Sequence, residues 1–412
     1  MAQDRIIVVS ADCHAGPPNM ADYRPYLDSR FLQDFDDYMA RIEAYEALYA
    51  DGLSRGAAPA ADDESGLWDT AVRERCLDAD GISAEVIFAQ GSIPFGAYPA
   101  VGGRDRSLDF EASPAQIAAG CRAYNRWLAD FCSNSPDRHL GIAHIPIPDI
   151  DAAAAEIAFA RKAGLRGGAI LPPLAKGTIP NYNEPRYERL WAACEDHQMP
   201  LNMHGGAGVN YGPGPERLAL VLAETDWLSR RGLAHLIFSG VFERHPRLHL
   251  AITEQRAHWL TPQLAEYDSI YLYPGNAPLR QILPRLPSEY FKTNCFVGAS
   301  FMSRLECEAR GEIGSRCMMW GSDYPHREGT WPHTNTAIRW TFGCAVPADE
   351  LQAMLGGNAA RCYQLDATVL QAIAARIGPR EADLREPAQA VPGRGDAPYV
   401  RSWAFRHGGP WH

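Results

Sequence analysis

Two side chains able to bind a metal ion, Asp12 and His14, follow the apolar run Ile6-Ile7-Val8-Val9 near the start of the chain. Four β-branched residues in succession predict a buried strand, and Gly16-Pro17-Pro18 would end it. Side chains two positions apart on a strand point to the same face. Asp12 and His14 could therefore present a carboxylate oxygen and an imidazole nitrogen to one point, as a divalent metal requires.

Three later apolar runs are also followed by residue types that bind metals: His204, Glu254 and Asp323, with His326 in the loop after the last. In a barrel of parallel strands, functional side chains gather where the strands end, at the carboxyl face. The recurrence of His, Asp and Glu at this relative position predicts a metal site there.

The strands that would carry these residues recur along most of the chain. We predict them at 6–9, 84–89, 140–145, 168–171, 200–203, 248–253, 290–296 and 317–321, with helices between many of them, including 152–163, 186–197 and 216–231. Strands that alternate with helices predict an α/β fold built from parallel β/α units. A closed (β/α)8 TIM barrel is favoured over an open doubly wound sheet, because no glycine-rich phosphate-binding fingerprint follows the first strand.

Two segments extend beyond this repeat. Residues 19–75 are long for a connection between a strand and a helix, and predict an insertion over the active-site face of a barrel domain at 1–366. Residues 367–412 predict a C-terminal helix and a Pro/Gly-rich tail. Aromatic residues in this tail, among them Trp403 and Trp411, favour packing on another subunit, and we expect a homodimer.

The charge balance excludes some classes of partner. The chain has 39 Lys and Arg against 50 Asp and Glu, a net charge of -11, which argues against nucleic acid or anionic membrane as the main partner. No apolar run approaches the length of a membrane span, and the amino terminus lacks the apolar region of a signal peptide. The ten cysteines include no C-x-x-C pair, which is typical of reduced thiols in a cytoplasmic protein.

Four motifs give the chain a family resemblance: SADCH at 10–14, GVFERHP at 240–246, GSDYPH at 321–326 and GGNAAR at 356–361. Together they resemble the amidohydrolase-related family. The branch that the chain resembles holds metal-dependent TIM-barrel hydrolases and the aminocarboxymuconate-semialdehyde and resorcylate-type decarboxylases. The resemblance runs from about residue 5 to residue 366. The combination of motifs is specific for the family, whereas no motif is specific for a substrate.

The resemblance implies a set of ligands for one divalent ion. The family's first-strand motif, usually His-x-His but acidic-x-His in some decarboxylases, matches Asp12 and His14. Its fifth-strand histidine matches His204, and its eighth-strand aspartate matches Asp323. Zn²⁺ suits two imidazoles and two carboxylates, and Mn²⁺ or Fe²⁺ accepts the same donors. Two-metal relatives often use a carboxylated lysine from the fourth strand, and Lys176 lies too far past that strand, which favours a single ion.

The group that transfers protons is left open by the sequence. Where the family often has a histidine after the sixth strand, this chain has Glu254. His258, four positions later, and His144, at the end of the third strand, are further candidates, and Asp323 could both bind the ion and move a proton. Either type of side chain, carboxylate or imidazole, can act as a general acid or base beside the reacting atoms.

Other residues could bind the substrate. The planar guanidinium of Arg256 matches a substrate carboxylate, and His326 would line the mouth of the barrel. Candidate aromatic walls are Trp68, Phe95, Tyr98, Phe301 and Trp331. Several aromatic walls would favour a flat aromatic or polyunsaturated substrate.

The leading prediction is a metal-dependent hydrolase of a small organic molecule, an unsaturated or aromatic carboxylate, which acts through a metal-activated water. The alternative is a non-oxidative decarboxylase of an aromatic or muconate-like acid. The acidic-x-His motif favours the decarboxylase, while Glu254 in place of a histidine favours the hydrolase. A third alternative is a barrel that binds a ligand without catalysis, since a fold does not by itself establish an activity.

Overall fold

Eight parallel strands form the central sheet of the protein in a computed structural model. The structure describes residues 5–49, 64–96, 111–174, 179–205, 214–300, 302–326, 329–343 and 346–386. The strands are β1 (Val9–Ala15), β2 (Ala84–Ala89), β3 (His139–Ala143), β4 (Gly168–Ile170), β5 (Leu201–His204), β6 (Leu250–Thr253), β7 (Cys295–Ser300) and β8 (Met318–Gly321). Each strand pairs with the next one along the chain.

Backbone hydrogen bonds bring β1 and β8 together. His14 N donates to Tyr324 O at 2.8 Å, and Asp323 N donates to Asp12 O at 2.8 Å. The predicted α/β fold, a (β/α)8 TIM barrel, is therefore confirmed. Its closure also places the two ligand-bearing segments, which lie some 300 positions apart in the chain, side by side.

Helices connect the strands on the outside of the barrel. They are α1 (Leu32–Tyr49), α2 (Thr70–Asp80), α3 (Pro114–Cys132), α4 (Ile150–Lys162), α5 (Glu188–Asp196), α6 (Arg217–Phe238), α7 (Val241–Arg244), α8 (Leu260–Leu272), α9 (Pro287–Asn294), α10 (Arg304–Glu308), α11 (Arg310–Ile313), α12 (Thr334–Phe342), α13 (Ala348–Gln352), α14 (Asn358–Tyr363), α15 (Ala367–Ile377) and α16 (Glu381–Leu384). Short 3₁₀ helices cover Met20–Tyr26, Ser29–Phe31, Glu64–Leu67, Pro94–Gly96, Pro185–Tyr187 and Pro274–Gln281.

The strands separate two layers of core. Side chains at alternate positions, such as Val86 and Phe88 of β2 or Leu140 and Ile142 of β3, pack together inside the barrel. The intervening positions, such as Ile87, pack against the helices. This alternation follows from the two-residue period of a strand. At the carboxyl end the interior becomes polar, because the next inward positions hold ionisable side chains.

Two predicted strands are wrong in position. β1 begins at Val9 rather than Ile6, so Asp12 and His14 lie within it, and its register with β2 shifts between Ser10 and Cys13. The prediction of a strand at 290–296 is wrong because residues 287–294 form α9, and β7 begins at Cys295. A short apolar run does not distinguish a strand from one buried face of a helix.

The segments outside the eight-fold repeat contain helices where the structure describes them. Residues 19–49 form two 3₁₀ turns and α1, which packs through Phe35 and Tyr38 on Phe95. Helices α15 and α16 follow residue 366. Beside them, the backbone of Arg5 forms an isolated antiparallel β-bridge with that of Arg380. The domain boundaries and the cytoplasmic location stay predictions. No helix in the described ranges has the length and apolar character needed to cross a bilayer.

Candidate metal centre

Four predicted ligands meet at the carboxyl end of the barrel. Asp12 Oδ1 lies 3.1 Å from His204 Nε2 and 3.5 Å from His14 Nε2. His14 Nε2 in turn lies 3.2 Å from Asp323 Oδ1. Asp12 and Asp323 are fully buried, and His14 is nearly so. The side chains that the sequence places at the ends of β1, β5 and β8 therefore form one connected cluster, in which His14 lies between Asp12 and Asp323.

Neighbouring groups orient these ligands. His14 Nδ1 lies 3.2 Å from Ala89 O, and His204 Nδ1 lies 2.8 Å from Gly205 O, so the Nε2 atom of each ring faces the cluster. Ser300, the last residue of β7, donates from Oγ to Asp12 Oδ2. Partners of this kind fix the tautomer and direction of metal ligands.

The donor set fits a single divalent ion. His14 Nε2 is buried and has no hydrogen-bond partner among the described residues, although two carboxylates lie beside it. Two triads could hold an ion, one formed by Asp12, His14 and His204, the other by His14, Asp323 and His326. Both triads include His14, whose Nε2 lies near Asp12 Oδ1 and Asp323 Oδ1, so they form one connected cluster.

The electrostatics of the cluster favour a cation. Burial opposes a charge on His14, but Asp12 and Asp323 outweigh it and raise its pKa to about 9. Burial also opposes a charge on His204, whose pKa is raised to about 9 by Asp12 and Glu254. Burial would raise the pKa of Asp12, yet the charge of His204 holds that pKa well below its usual range. A bound ion would take the place of these protons.

Glu254 lies at the edge of the cluster. Its Oε2 is 3.3 Å from His204 Nδ1, and its side chain is 23 % exposed. Burial has the largest effect on its pKa and raises it. The charge of His204 lowers this pKa, the like charges of Asp323 and Asp12 raise it, and the result is a pKa of about 7. A Cβ at position 205 would lie 2.8 Å from Glu254 Oε2, so Gly205 allows this approach.

Two carboxylate residues of the cluster adopt a backbone conformation that favours glycine. Asp323 has a φ of 55° and Glu254 a φ of 57°. Non-glycine residues in this left-handed region are uncommon and cost free energy, and they concentrate at functional sites. The structure thus retains strain at the two carboxylates best placed for chemistry.

His326 joins the cluster, whereas two other predicted histidines do not. His326 Nδ1 is 2.9 Å from Asp323 Oδ1. His144 is buried with its ring edge-on to Tyr124, 4.7 Å between centroids, and burial lowers its pKa to about 3. His258 is exposed and acts electrostatically on Asp226. His144 and His258, which the sequence offers as proton-transfer groups, are therefore not among the residues of this cluster.

The predicted substrate-binding residues are scattered. Arg256 lies near Asp226, on whose pKa it acts, and has a φ of 52°. Phe95 is 1 % exposed within the aromatic packing of α1, which corrects its prediction as a cavity wall. Trp331 packs edge-on to Tyr324 with 5.7 Å between ring centroids, and Trp68 is exposed. Tyr98, Phe301 and Lys176 lie outside the described residues, as does the tail after 386.

Several site residues were missed by sequence reasoning. The ring of Phe88 lies 4.2 Å from that of His204 and 6.0 Å from that of His14, centroid to centroid. Phe88 ends the inward alternation of β2 and could have been found from that period. Ser300 was missed because β7 was predicted too early in the chain.

Residues 11–365 match the amidohydrolase family. The chain belongs to this family. Its curated relatives include the gamma-resorcylate decarboxylase of Rhodococcus jostii (strain RHA1), which is 25% identical over 317 residues, 72% of this chain and 87% of the relative. The gamma-resorcylate decarboxylase of Rhizobium sp. (strain MTP-10005) is also 25% identical, over 71% of this chain and 86% of the relative.

Solved structures support the barrel fold of this amidohydrolase-family chain. An amidohydrolase from Mycobacterium avium subsp. paratuberculosis has a TM-score of 0.66 at 17% identity, over 87% of this chain and 99% of that one. The 5-carboxyvanillate decarboxylase of Novosphingobium aromaticivorans, solved with manganese and 4-hydroxy-3-methoxy-5-nitrobenzoic acid, has a TM-score of 0.65 at 16% identity, over 89% and 98% of the two chains.

Proposed function

We propose that this protein is a metal-dependent, non-oxidative decarboxylase of a hydroxylated aromatic acid. The observation that carries the proposal is the cluster of Asp12, His14, His204 and Asp323 at the barrel mouth. The gamma-resorcylate decarboxylases among the relatives support the reaction type, and the acidic-x-His pair on β1 agrees with it. The leading sequence prediction, a hydrolase, has no support from the activities of these curated relatives, and decarboxylation is the better supported alternative.

The four clustered residues would hold the ion, and the protein would supply the proton. When bound, Mn²⁺ or Zn²⁺ would supply positive charge that binds and polarises the substrate's carboxylate and a neighbouring oxygen. The reaction breaks the bond between the ring carbon and the carboxylate, releases CO₂, and adds one proton to that carbon. Asp323 Oδ2, buried and without a hydrogen-bond partner, is the atom we assign to carry this proton.

The accessible edge of the cluster determines where substrate can approach. The side chains of Glu254 and His326 are 23 % and 27 % exposed, while Asp12 and Asp323 are fully covered. Phe88 offers a ring beside His204 against which an aromatic substrate can pack. Glu254 is the second carboxylate able to exchange protons at this edge, and comparison of Asp323→Asn with Glu254→Gln distinguishes the two roles.

The test begins with metal. The purified protein is reconstituted with Mn²⁺ or Zn²⁺ and given 2,6-dihydroxybenzoate or 5-carboxyvanillate, with release of CO₂ and the aromatic product measured in D₂O and in H₂¹⁸O. We expect CO₂ release and one deuteron on the ring carbon, abolished by EDTA and in His204→Ala. Uptake of ¹⁸O without CO₂ would instead support a hydrolase. An absence of bound metal after reconstitution would support the ligand-binding barrel. The homodimer stays a prediction.

A further inference from the structure

Both ring nitrogens of His326 are engaged beside the cluster. Nδ1 is 2.9 Å from Asp323 Oδ1, and Nε2 is 2.9 Å from the side-chain oxygen of Gln90. The ring also stacks on His14, with 4.1 Å between centroids and 29° between planes. His326 is therefore held from three directions, which leaves its ring little freedom to rotate.

These contacts distinguish the two oxygens of Asp323. Oδ1 accepts from His326 and lies 3.2 Å from His14 Nε2, whereas Oδ2 has no hydrogen-bond partner among the described residues. A carboxylate held through one oxygen cannot rotate freely, so its second oxygen keeps a defined direction. Defined direction is what transfer of a proton to one ring carbon requires.

The backbone of this loop does not depend on the His326 side chain. His326 N donates to Asp323 O at 2.8 Å, Gly329 N donates to His326 O at 3.0 Å, and Thr330 N donates to Ser322 O at 2.8 Å. The turn after β8 is thus closed by main-chain hydrogen bonds. The His326 side chain takes no part in these main-chain hydrogen bonds.

Gln90 anchors the other side of the His326 ring. It follows β2 directly, and its backbone N donates to Ala15 O at 2.8 Å, at the end of β1. A Cβ at position 16 would lie 3.0 Å from Gln90 Cβ, so Gly16 allows the strand ends to approach closely. Gln90 thus links the ends of β1 and β2 to the His326 ring, and this ring contacts Asp323.

We propose that His326, braced by Gln90, is a positioning residue that holds Asp323 through Oδ1 and directs Oδ2 at the reacting carbon of the substrate. The inference rests on the proposed decarboxylase function. It gives His326 a role different from the substrate contact expected from its place in the loop. The competing role is that of a fifth metal ligand, since His14, Asp323 and His326 also form a group that could hold a metal ion.

The test uses substitutions that keep or remove one contact at a time. His326→Asn keeps a donor where Nδ1 stands, His326→Phe keeps the stacked ring and removes both ring nitrogens, and Gln90→Leu removes the brace. Gln33→Leu changes an exposed glutamine on α1 and serves as the control. Each variant is reconstituted with Mn²⁺, its metal content is measured, and kcat and KM are determined.

We expect His326→Phe to bind one equivalent of Mn²⁺ but to lose about 100-fold in kcat, with KM changed by less than about threefold. His326→Asn should regain most of this loss, and Gln90→Leu should fall between the two. Loss of bound Mn²⁺ in His326→Phe would show instead that His326 is a metal ligand. An unchanged kcat in His326→Phe, or equal losses in His326→Phe and His326→Asn, would overturn the proposal.

A second measurement separates this inference from the proposed function. The visible absorption of the Co²⁺-loaded protein reports the arrangement of ligands around the ion whether or not the protein decarboxylates anything. His326→Phe should shift this spectrum and His326→Asn should leave it close to that of the unchanged protein. If the spectra behave in this way and no CO₂ is formed, the decarboxylase proposal fails and the positioning role stands. Identical spectra in all variants would contradict the positioning role.

Discussion

Ser300 controls one oxygen of the Asp12 carboxylate. Its hydroxyl donates to Oδ2, which leaves Oδ1 to face His204 Nε2 at 3.1 Å. Removal of such a supporting hydrogen bond weakens metal binding by about 10- to 100-fold. We therefore expect Ser300→Ala to lower the affinity for Mn²⁺ by this factor, measured by competition with a chelator of known affinity.

Ser133→Ala provides the control for this change. Ser133 is exposed, and its hydroxyl donates to Asp130 O at the end of α3, far along the chain from any ligand. Ser133→Ala should leave the affinity for Mn²⁺ unchanged. Equal affinities of Ser300→Ala and the unchanged protein would mean that Asp12 is oriented without Ser300.

At the scale of elements, a buried ion pair joins α2 to β2 and to the ligand strand. Arg73 donates to both oxygens of Glu85, at 2.6 and 2.8 Å, and to His14 O at 2.6 Å. Removing one member of a buried pair costs about 3–5 kcal/mol, because the other charge stays buried without its partner. Arg73→Met should lower the free energy of unfolding in urea by about this amount.

The exposed pair of Arg24 and Asp36 is the matched control. It has a similar two-bond geometry, at 2.8 and 2.9 Å, but its side chains are 47 % and 43 % exposed. Arg24→Met should therefore destabilise the protein much less than Arg73→Met does. The double variant Arg73→Met with Glu85→Gln should recover part of the loss. Equal costs at the two pairs would show that burial does not strengthen the inner one.

Asp80 makes the contact between α2 and α12 depend on pH. Thr334 Oγ1 donates to its Oδ2 at 2.5 Å, and burial raises its pKa from 3.8 to about 7. Between about pH 4 and pH 7, Asp80 is therefore protonated in the folded state and ionised in the unfolded state. The free energy of unfolding should fall as the pH rises across this range. Above pH 7, Asp80→Asn should be more stable than the unchanged protein by about 2–4 kcal/mol.

Urea unfolding of both proteins from pH 4 to pH 8 measures this difference. At pH 4 the difference in stability should be smallest, because Asp80 is then protonated in the folded state and still partly protonated in the unfolded state. Asp137→Asn, at an exposed position, should follow the unchanged protein throughout. A difference in the free energy of unfolding that stays constant with pH would contradict a raised pKa of Asp80.

For the whole molecule, the barrel should gain stability from the ion that its strand ends bind. A ligand that binds only the folded state stabilises it by about 2.7 kcal/mol at one hundred times its Kd. Addition of Mn²⁺ should therefore raise Tm in differential scanning fluorimetry, and EDTA should reverse the shift. His204→Ala should lose the shift, while His197→Ala, at the end of α5, should keep it. A shift retained in His204→Ala would place the ion elsewhere.

The sequence was sufficient for the order of the elements and for the residue types at the site. Strands β2, β4, β5 and β8 were predicted to within about one residue, because their apolar runs are short and bounded by turns. His204 and Asp323 could be found because each directly follows such a run. These features depend on local periodicity, which the chain carries without any long-range contact.

Only the tertiary structure decided which candidate side chains meet. Closure of β1 on β8 brings Asp12 to Asp323, and the pairing of β6 with β7 places Ser300 near the ligands. His326 enters the cluster, while Arg256 and His258 lie close enough to Asp226 of α6 to act on its pKa, because the segments after β6 and β8 have different partners. Residue types and spacing predict what a side chain can do. Strand stagger and loop conformation, set by packing of distant segments, determine what it reaches.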